Sequence, residues 1–136
     1  MNILFVCKHN IFRSRVAEEY MKKISHHNIS SAGVISFDGN LNKTQQEVCS
    51  EYGLRFTNQS KTLDLGNLRN QDLIIIVADD VPQEVFAHPE YNLKEIRRWE
   101  IKDVDSHSLD KENIRNIVGE IIRRVEELNE EINLKM

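Results

Sequence analysis

Cys7, Arg13 and Ser14 are the residues of this chain whose types and spacing could do chemistry. A cysteine followed by Arg-Ser at this distance suits nucleophilic attack on a phosphorus centre. The thiolate is the attacking species, and it forms more readily among backbone N–H groups, near a helix N-terminus and beside a cation. Arg13 supplies the cation as a planar fork that pairs with two phosphate oxygens at once. A nucleophile beneath the phosphorus and a guanidinium beside its oxygens are what phosphoryl transfer to sulfur requires. The competing reading is that Cys7 is a small buried hydrophobe at a strand end. A Cys-x5-Arg pair alone does not decide between the two.

The neighbouring segments decide more. Residues 2–6 are a short apolar run and predict a buried strand ending at Cys7. From Ser14 the apolar positions Val16, Ala17, Tyr20, Met21 and Ile24 recur at helical spacing, predicting a helix over 14–25. Strand, loop and helix in this order place the thiol in a ring of N–H groups at a helix N-terminus, where anions bind.

The rest of the chain reads as a scaffold for that loop. Ile29–Val34 predicts a weaker second strand with a glycine turn, and Asp38-Gly39-Asn40 marks a loop over 35–42. Thr44–Tyr52 predicts a helix closed by Gly53. Residues 54–71 are polar, with one helical turn near Leu65–Arg69. Residues 72–78 are apolar on both faces, as a central strand of a parallel sheet should be. Pro82 opens a short helix through Phe86. Residues 93–99 predict a fourth strand whose charges suit a sheet edge. After a polar loop over 100–109, Asp110 caps a long final helix with Ile114, Ile117, Val118, Ile121, Ile122, Val125, Leu128 and Ile132 on one face.

Strands alternating with helices imply an α/β fold: a three-layer, doubly wound, four-stranded parallel sheet with helices on both faces. Such sheets bind ligands beyond the carboxyl ends of their strands, and Cys7, Asp79 and Asp103 all follow strands. The 136 residues are expected to form one domain, residues 1–136, with a core holding about two-thirds of the unfolded surface. A net charge of −4 and a pI near 5.7 argue against a nucleic-acid partner. No apolar run approaches the roughly 18 residues of a membrane span, so no membrane partner is expected. The N-terminal run is too short for a signal peptide, and two cysteines fit a reducing cytoplasm better than a disulfide scaffold.

Cys7-Lys8-His9-Asn10-Ile11-Phe12-Arg13-Ser14 resembles the phosphate loop of the low-molecular-weight protein tyrosine phosphatases. The likeness continues through Ala17-Glu18, Ser31-Ala32-Gly33, Gly53-Leu54, Ser60-Lys61 and the strand over 72–77, and so covers essentially the whole chain. Phe37 falls where the family places a pocket wall. The resemblance implies a two-step phosphatase in which Cys7 attacks, Arg13 and the loop amides hold the oxygens, and Asp103 protonates the leaving group. Asp103 then activates the water that hydrolyses the phosphocysteine. Asp105 is a fallback for the acid. Ser14 would hydrogen-bond the departing thiolate and Asn10 would brace the loop; Lys8, His9, Ile11 and Phe12 complete the phosphate-binding turn. No metal or other cofactor is required. The implied substrate is a phosphorylated protein or a small aryl phosphate, and the implied state a monomer or weak homodimer.

Three departures from the family pattern stand out. His9 replaces a glycine, which matters if that position needs a positive φ. Phe12 replaces a frequent second loop cysteine. Val104 replaces the proline after the acid, which implies a looser acid loop. An arsenate reductase of the same fold would need further cysteines, and residues 79–90 contain none. Phosphoarginine phosphatases of the superfamily favour Thr where Ile11 stands, and sugar-transport phosphocarrier domains lack the loop arginine. A non-catalytic phosphate-binding module is the reading from a different class. The five histidines form no ligand pair with metal-site spacing. Trp99 and Phe86 read as packing residues.

Overall fold

The computed structural model describes residues 1–36, 39–56, 59–91, 95–104 and 109–135. Phe37 and Asp105 lie outside the described residues. Eight regular elements follow in chain order: β1 (Asn2–Cys7), α1 (Arg13–Ile24), β2 (Asn28–Gly33), α2 (Lys43–Glu51), α3 (Leu65–Arg69), β3 (Leu73–Val77), β4 (Ile96–Trp99) and α4 (Lys111–Lys135). Single turns of tighter 3-10 helix stand at Gln83–Phe86, directly after Pro82, and at Pro89–Tyr91.

The four strands form one parallel sheet in the order β2-β1-β3-β4. The expected α/β architecture is therefore observed, with β4 at an edge as its charges predict. β1 and β3 are central and buried on both faces, which is why they read as unbroken apolar runs. From β1 the chain runs to one side to make β2 and then crosses to the other to make β3. The direction reverses beside the carboxyl end of β1, where a crevice opens.

The two faces are covered unequally. Ile3, Phe5, Leu73 and Ile75 pack beneath α1, α2 and α4, joined by Val16, Met21, Val48, Ile114, Ile121 and Val125. Trp99 belongs to this core, its ring 5.9 Å from that of Phe5. Leu4, Val6, Ile74 and Ile76 face the other way, under Leu68 of α3 and Phe86. Caps set the helix limits. Asn42 and Gln45 form a reciprocal capping box at α2, and Asp64 and Asp110 accept N–H bonds at the starts of α3 and α4. Gly53, at φ +73°, closes α2 in the left-handed region. At α1 Phe12 offers no side-chain cap, so that terminus keeps its N–H groups for other partners.

Candidate active site

The site forms where β1 gives way to α1. Cys7 is the last residue of β1 and Arg13 the first of α1, so five residues make the turn between them. The two residues after β2 fix its outer side: Val34 and Ile35 donate N–H bonds to the carbonyls of Cys7 and Lys8 at 3.1 and 2.9 Å. Gly33 lies against the loop backbone. A Cβ there would stand 2.6 Å from the His9 carbonyl carbon and 2.8 Å from the Asn10 nitrogen, so only glycine fits. This close approach explains the glycine of Ser31-Ala32-Gly33.

A buried hydrogen-bond chain holds the turn from within. Asn10 adopts φ +56°, the left-handed conformation that asparagine tolerates better than most residues. It is Asn10, and not His9, that takes the positive φ, so the replacement of glycine by His9 carries no backbone strain of that kind. The Asn10 Oδ1 accepts the Lys61 N–H at 2.9 Å, which turns its Nδ2 towards two hydroxyls. Nδ2 donates to Ser14 Oγ and to Ser31 Oγ, both at 2.8 Å. Ser31 Oγ in turn donates to Glu18 Oε1 at 2.5 Å, and the second Glu18 oxygen accepts from Lys22 at 2.7 Å. Ser14 Oγ, which accepts from Asn10, also lies 2.9 Å from Cys7 Sγ, and in that contact either atom can donate.

Arg13 ties this loop to the far side of the crevice. Its guanidinium is buried and donates from Nη1 to the Ile101 carbonyl at 3.0 Å. Three carboxylates surround it: Asp80 at 3.0 Å, Asp103 at 3.4 Å and Asp79 at 3.7 Å. Asp79 and Asp80 follow β3, while Asp103 follows β4. Asp103 Oδ1 also accepts the N–H of Val104 at 2.9 Å, a bond that a proline at that position would forbid. Val104 is buried in the core that lies under α1. The replaced proline therefore leaves this part of the loop with a buried anchor and an added hydrogen bond, where a looser segment was expected.

Cys7, His9, Ile11, Arg13, Asp103 and Val104 line one cavity of about 280 Å³. Phe12 borders it too, and is itself packed in the core. Lys8 contributes its carbonyl to the contact with Ile35, just beyond β2. Several site members went unassigned in the sequence. Glu18, Ser31 and Gly33 were visible only as motif letters, and Asp79 only as a residue following a strand; nothing local marks Asp80, or Ile101, whose contribution is a backbone carbonyl. The second thiol, Cys49, is fully buried, and burial pushes it up to about 12. Both cysteines are free.

The arrangement has known counterparts. A model of the low molecular weight phosphotyrosine protein phosphatase family matches residues 2–136. A glutaredoxin arsenate reductase of Synechocystis sp. is 28% identical over 128 residues, 93% of this chain and 94% of that protein. A low molecular weight protein tyrosine phosphatase from T. tengcongensis superposes with a TM-score of 0.76 at 26% identity, covering 96% of this chain and 99% of that one. The YwlE arginine phosphatase from Geobacillus stearothermophilus superposes at 0.79 with 21% identity, covering 98% and 94%, a likeness of fold. The two-strand crevice, the Cys7–Ser14 turn and the match along the chain lead to one conclusion: the protein belongs to the low molecular weight phosphotyrosine protein phosphatase family.

Proposed function

We propose that the protein is a cysteine-dependent phosphatase that hydrolyses phosphotyrosine or a similar aryl phosphate monoester through a phosphocysteine. The observation that carries this reading is the single cavity onto which Cys7, Arg13 and Asp103 all open. Cys7 thiolate, facing the Ser14 hydroxyl, attacks phosphorus as the bond to the leaving oxygen breaks. Arg13 exchanges its carboxylate partners for the equatorial oxygens. Protonated Asp103 gives its proton to the leaving oxygen, then as carboxylate takes one from the attacking water. Cleavage of the P–S bond releases phosphate and restores the thiolate. Ile11 and Val104 give the cavity apolar walls that suit a ring.

The arsenate reductase relative favours a second reading, reduction of arsenate with thiols supplied from outside the chain. The buried, proton-retaining Cys49 is a poor resolving thiol, which weighs against a reductase using its own cysteines. A paired assay separates the readings. Hydrolysis of p-nitrophenyl phosphate in the presence of a chelator, abolished in Cys7→Ser, is the expected result. Arsenate reduction coupled to glutathione and glutaredoxin without aryl phosphate turnover would overturn it. Vanadate binding with neither activity would identify a phosphate-binding module instead.

A further inference from the structure

Gln45 stands in the first turn of α2 and lines the catalytic cavity together with Cys7, Arg13 and Asp103, although only 4% of it is exposed. The capping box fixes its side chain. Gln45 Oε1 accepts the Asn42 N–H at 3.0 Å, while the Gln45 N–H donates to Asn42 Oδ1 at 2.8 Å. A backbone N–H can pair only with the oxygen of a side-chain amide, so the box also settles which way that amide faces. Its nitrogen, Nε2, has no hydrogen-bond acceptor among the described residues. Nor is it one of the buried polar atoms sealed from solvent, and the open space that Gln45 borders is the catalytic cavity. Helix capping accounts for the oxygen alone, since glutamate completes such a box as well as glutamine. A nearly buried donor aimed into a cavity is costly unless what enters the cavity accepts from it.

The charge around Gln45 selects the acceptor. The N–H groups of the first α2 turn give that end of the helix a positive partial charge, and the turn contains no acidic residue. Arg13 brings a full positive charge to the same cavity. An anionic oxygen held between the two is favoured over a neutral carbonyl. We propose that Gln45 Nε2 is a phosphate-binding donor, taking an oxygen of the phosphoryl group that Cys7 attacks. This inference rests on the phosphatase reading for its substrate. The Arg13 fork covers two of the three equatorial oxygens, and Nε2 meets the third along with the loop N–H groups. The phosphoryl group is then gripped from α2 as well as from the turn between β1 and α1.

Two variants separate the donor from the cap. Gln45→Glu keeps an oxygen for the Asn42 N–H and puts a carboxylate oxygen where Nε2 stands. Gln45→Met keeps the length of the side chain and removes the donor without adding charge. The first readout is the dissociation constant for inorganic phosphate, measured by calorimetry on the folded proteins. It should rise about tenfold in Gln45→Met, as for one lost hydrogen bond to a charged group, and further in Gln45→Glu, whose charge repels the ligand. KM for p-nitrophenyl phosphate should rise in step while kcat holds, the pattern of a contact kept through the reaction. The Tm of Gln45→Glu should match that of the parent, a cap being still present. Unchanged phosphate affinity in Gln45→Met overturns the proposal even where Gln45→Glu weakens binding, because the wall then senses charge without donating. If Gln45→Met does not fold, parent-like affinity in Gln45→Glu overturns it by itself. A loss confined to phosphotyrosyl peptides, with phosphate and p-nitrophenyl phosphate unaffected, assigns Nε2 to a peptide carbonyl and also overturns it. Absence of aryl phosphate turnover in the parent defeats the phosphatase reading, and the phosphate dissociation constants still judge Gln45; a parent that binds no phosphate overturns its role outright.

Discussion

Residues 7–14 and the carboxylates beyond β3 and β4 face one another across Arg13, and they are built in opposite ways. Cys7, Asn10, Arg13 and Ser14 are exposed by 2%, 1%, 1% and 0%; Ser14 bonds to Cys7 and Asn10, Asn10 also to Ser31 and Lys61, and Ser31 in turn to Glu18. The side chains of Asp79, Asp80 and Asp103 are 39%, 35% and 44% exposed, and their shared partner is Arg13 itself. The proposed nucleophile is held in place by the interior of the protein, whereas the proposed acid is held by a partly exposed loop. A buried constellation is preorganised and intolerant; an exposed one can shift with substrate. Changes to the first half should therefore damage binding and turnover together, and changes to the second should damage them separately.

The largest separate effect is expected for Asp103→Asn. It should lower kcat about 10²- to 10⁴-fold for substrates with poor leaving groups. Vanadate and phosphate should bind as before, measured by competitive inhibition or calorimetry. Parallel loss of vanadate binding would place Asp103 with the buried half. Gly33→Ala tests the opposite case. Its Cβ meets the backbone of His9 and Asn10, and the loop must move. A displacement of this kind should reduce kcat/KM about 10²-fold. Vanadate affinity should fall with it, and unchanged affinity would show that the loop is more yielding than its burial suggests.

Smaller effects sharpen the acid half. Asp80→Asn removes the carboxylate nearest to Arg13. With one competitor gone, KM for p-nitrophenyl phosphate should fall by about three- to tenfold, as expected for a partly exposed charge, and kcat should hold. A rise in KM would mean that Asp80 orients Arg13 for substrate and does not compete with it. Val104→Pro deletes the N–H that Asp103 accepts. Loss of one hydrogen bond should change kcat by about two- to fivefold, and only for poor leaving groups. An equal change for p-nitrophenyl phosphate, whose leaving group needs little protonation, would point to a general loosening of the loop.

The same contrast explains how much the sequence disclosed. β1, β3 and α4 follow from apolar patterns because burial on a sheet or helix face leaves a period in the sequence. Cys7, Arg13 and Ser14 were legible because strand, turn and helix are local. The Asp103 position came through resemblance, and no sequence pattern linked it, Asp79 or Asp80 to Arg13. Arg13 meets Asp79, Asp80 and the Ile101 carbonyl across 66 to 88 positions of chain, and such distances leave no pattern. His9 drew attention as an odd substitution, yet the left-handed residue is its neighbour Asn10. One position along the backbone changes which side chain bears the constraint. Val104 in place of the family's proline implies lost stiffness, whereas the structure shows its N–H bonded to Asp103 and its side chain buried.

The packing of α4 also affects the order in which the protein can be made. Tyr20 and Glu126 join α1 to α4, and the apolar stripe from Ile114 to Ile132 lies in the same core as Val16, Ala17 and Met21. α1, which presents Arg13 and Ser14, leaves a ribosome well before its covering helix, which begins only at Lys111. Until residues near 132 emerge, the greasy side of α1 has no partner, and helices of this length are marginal alone in water. A nascent chain arrested before α4 should therefore be inactive and sticky. The turn from Cys7 to Ser14 therefore gains its covering helix only once α4 has been made.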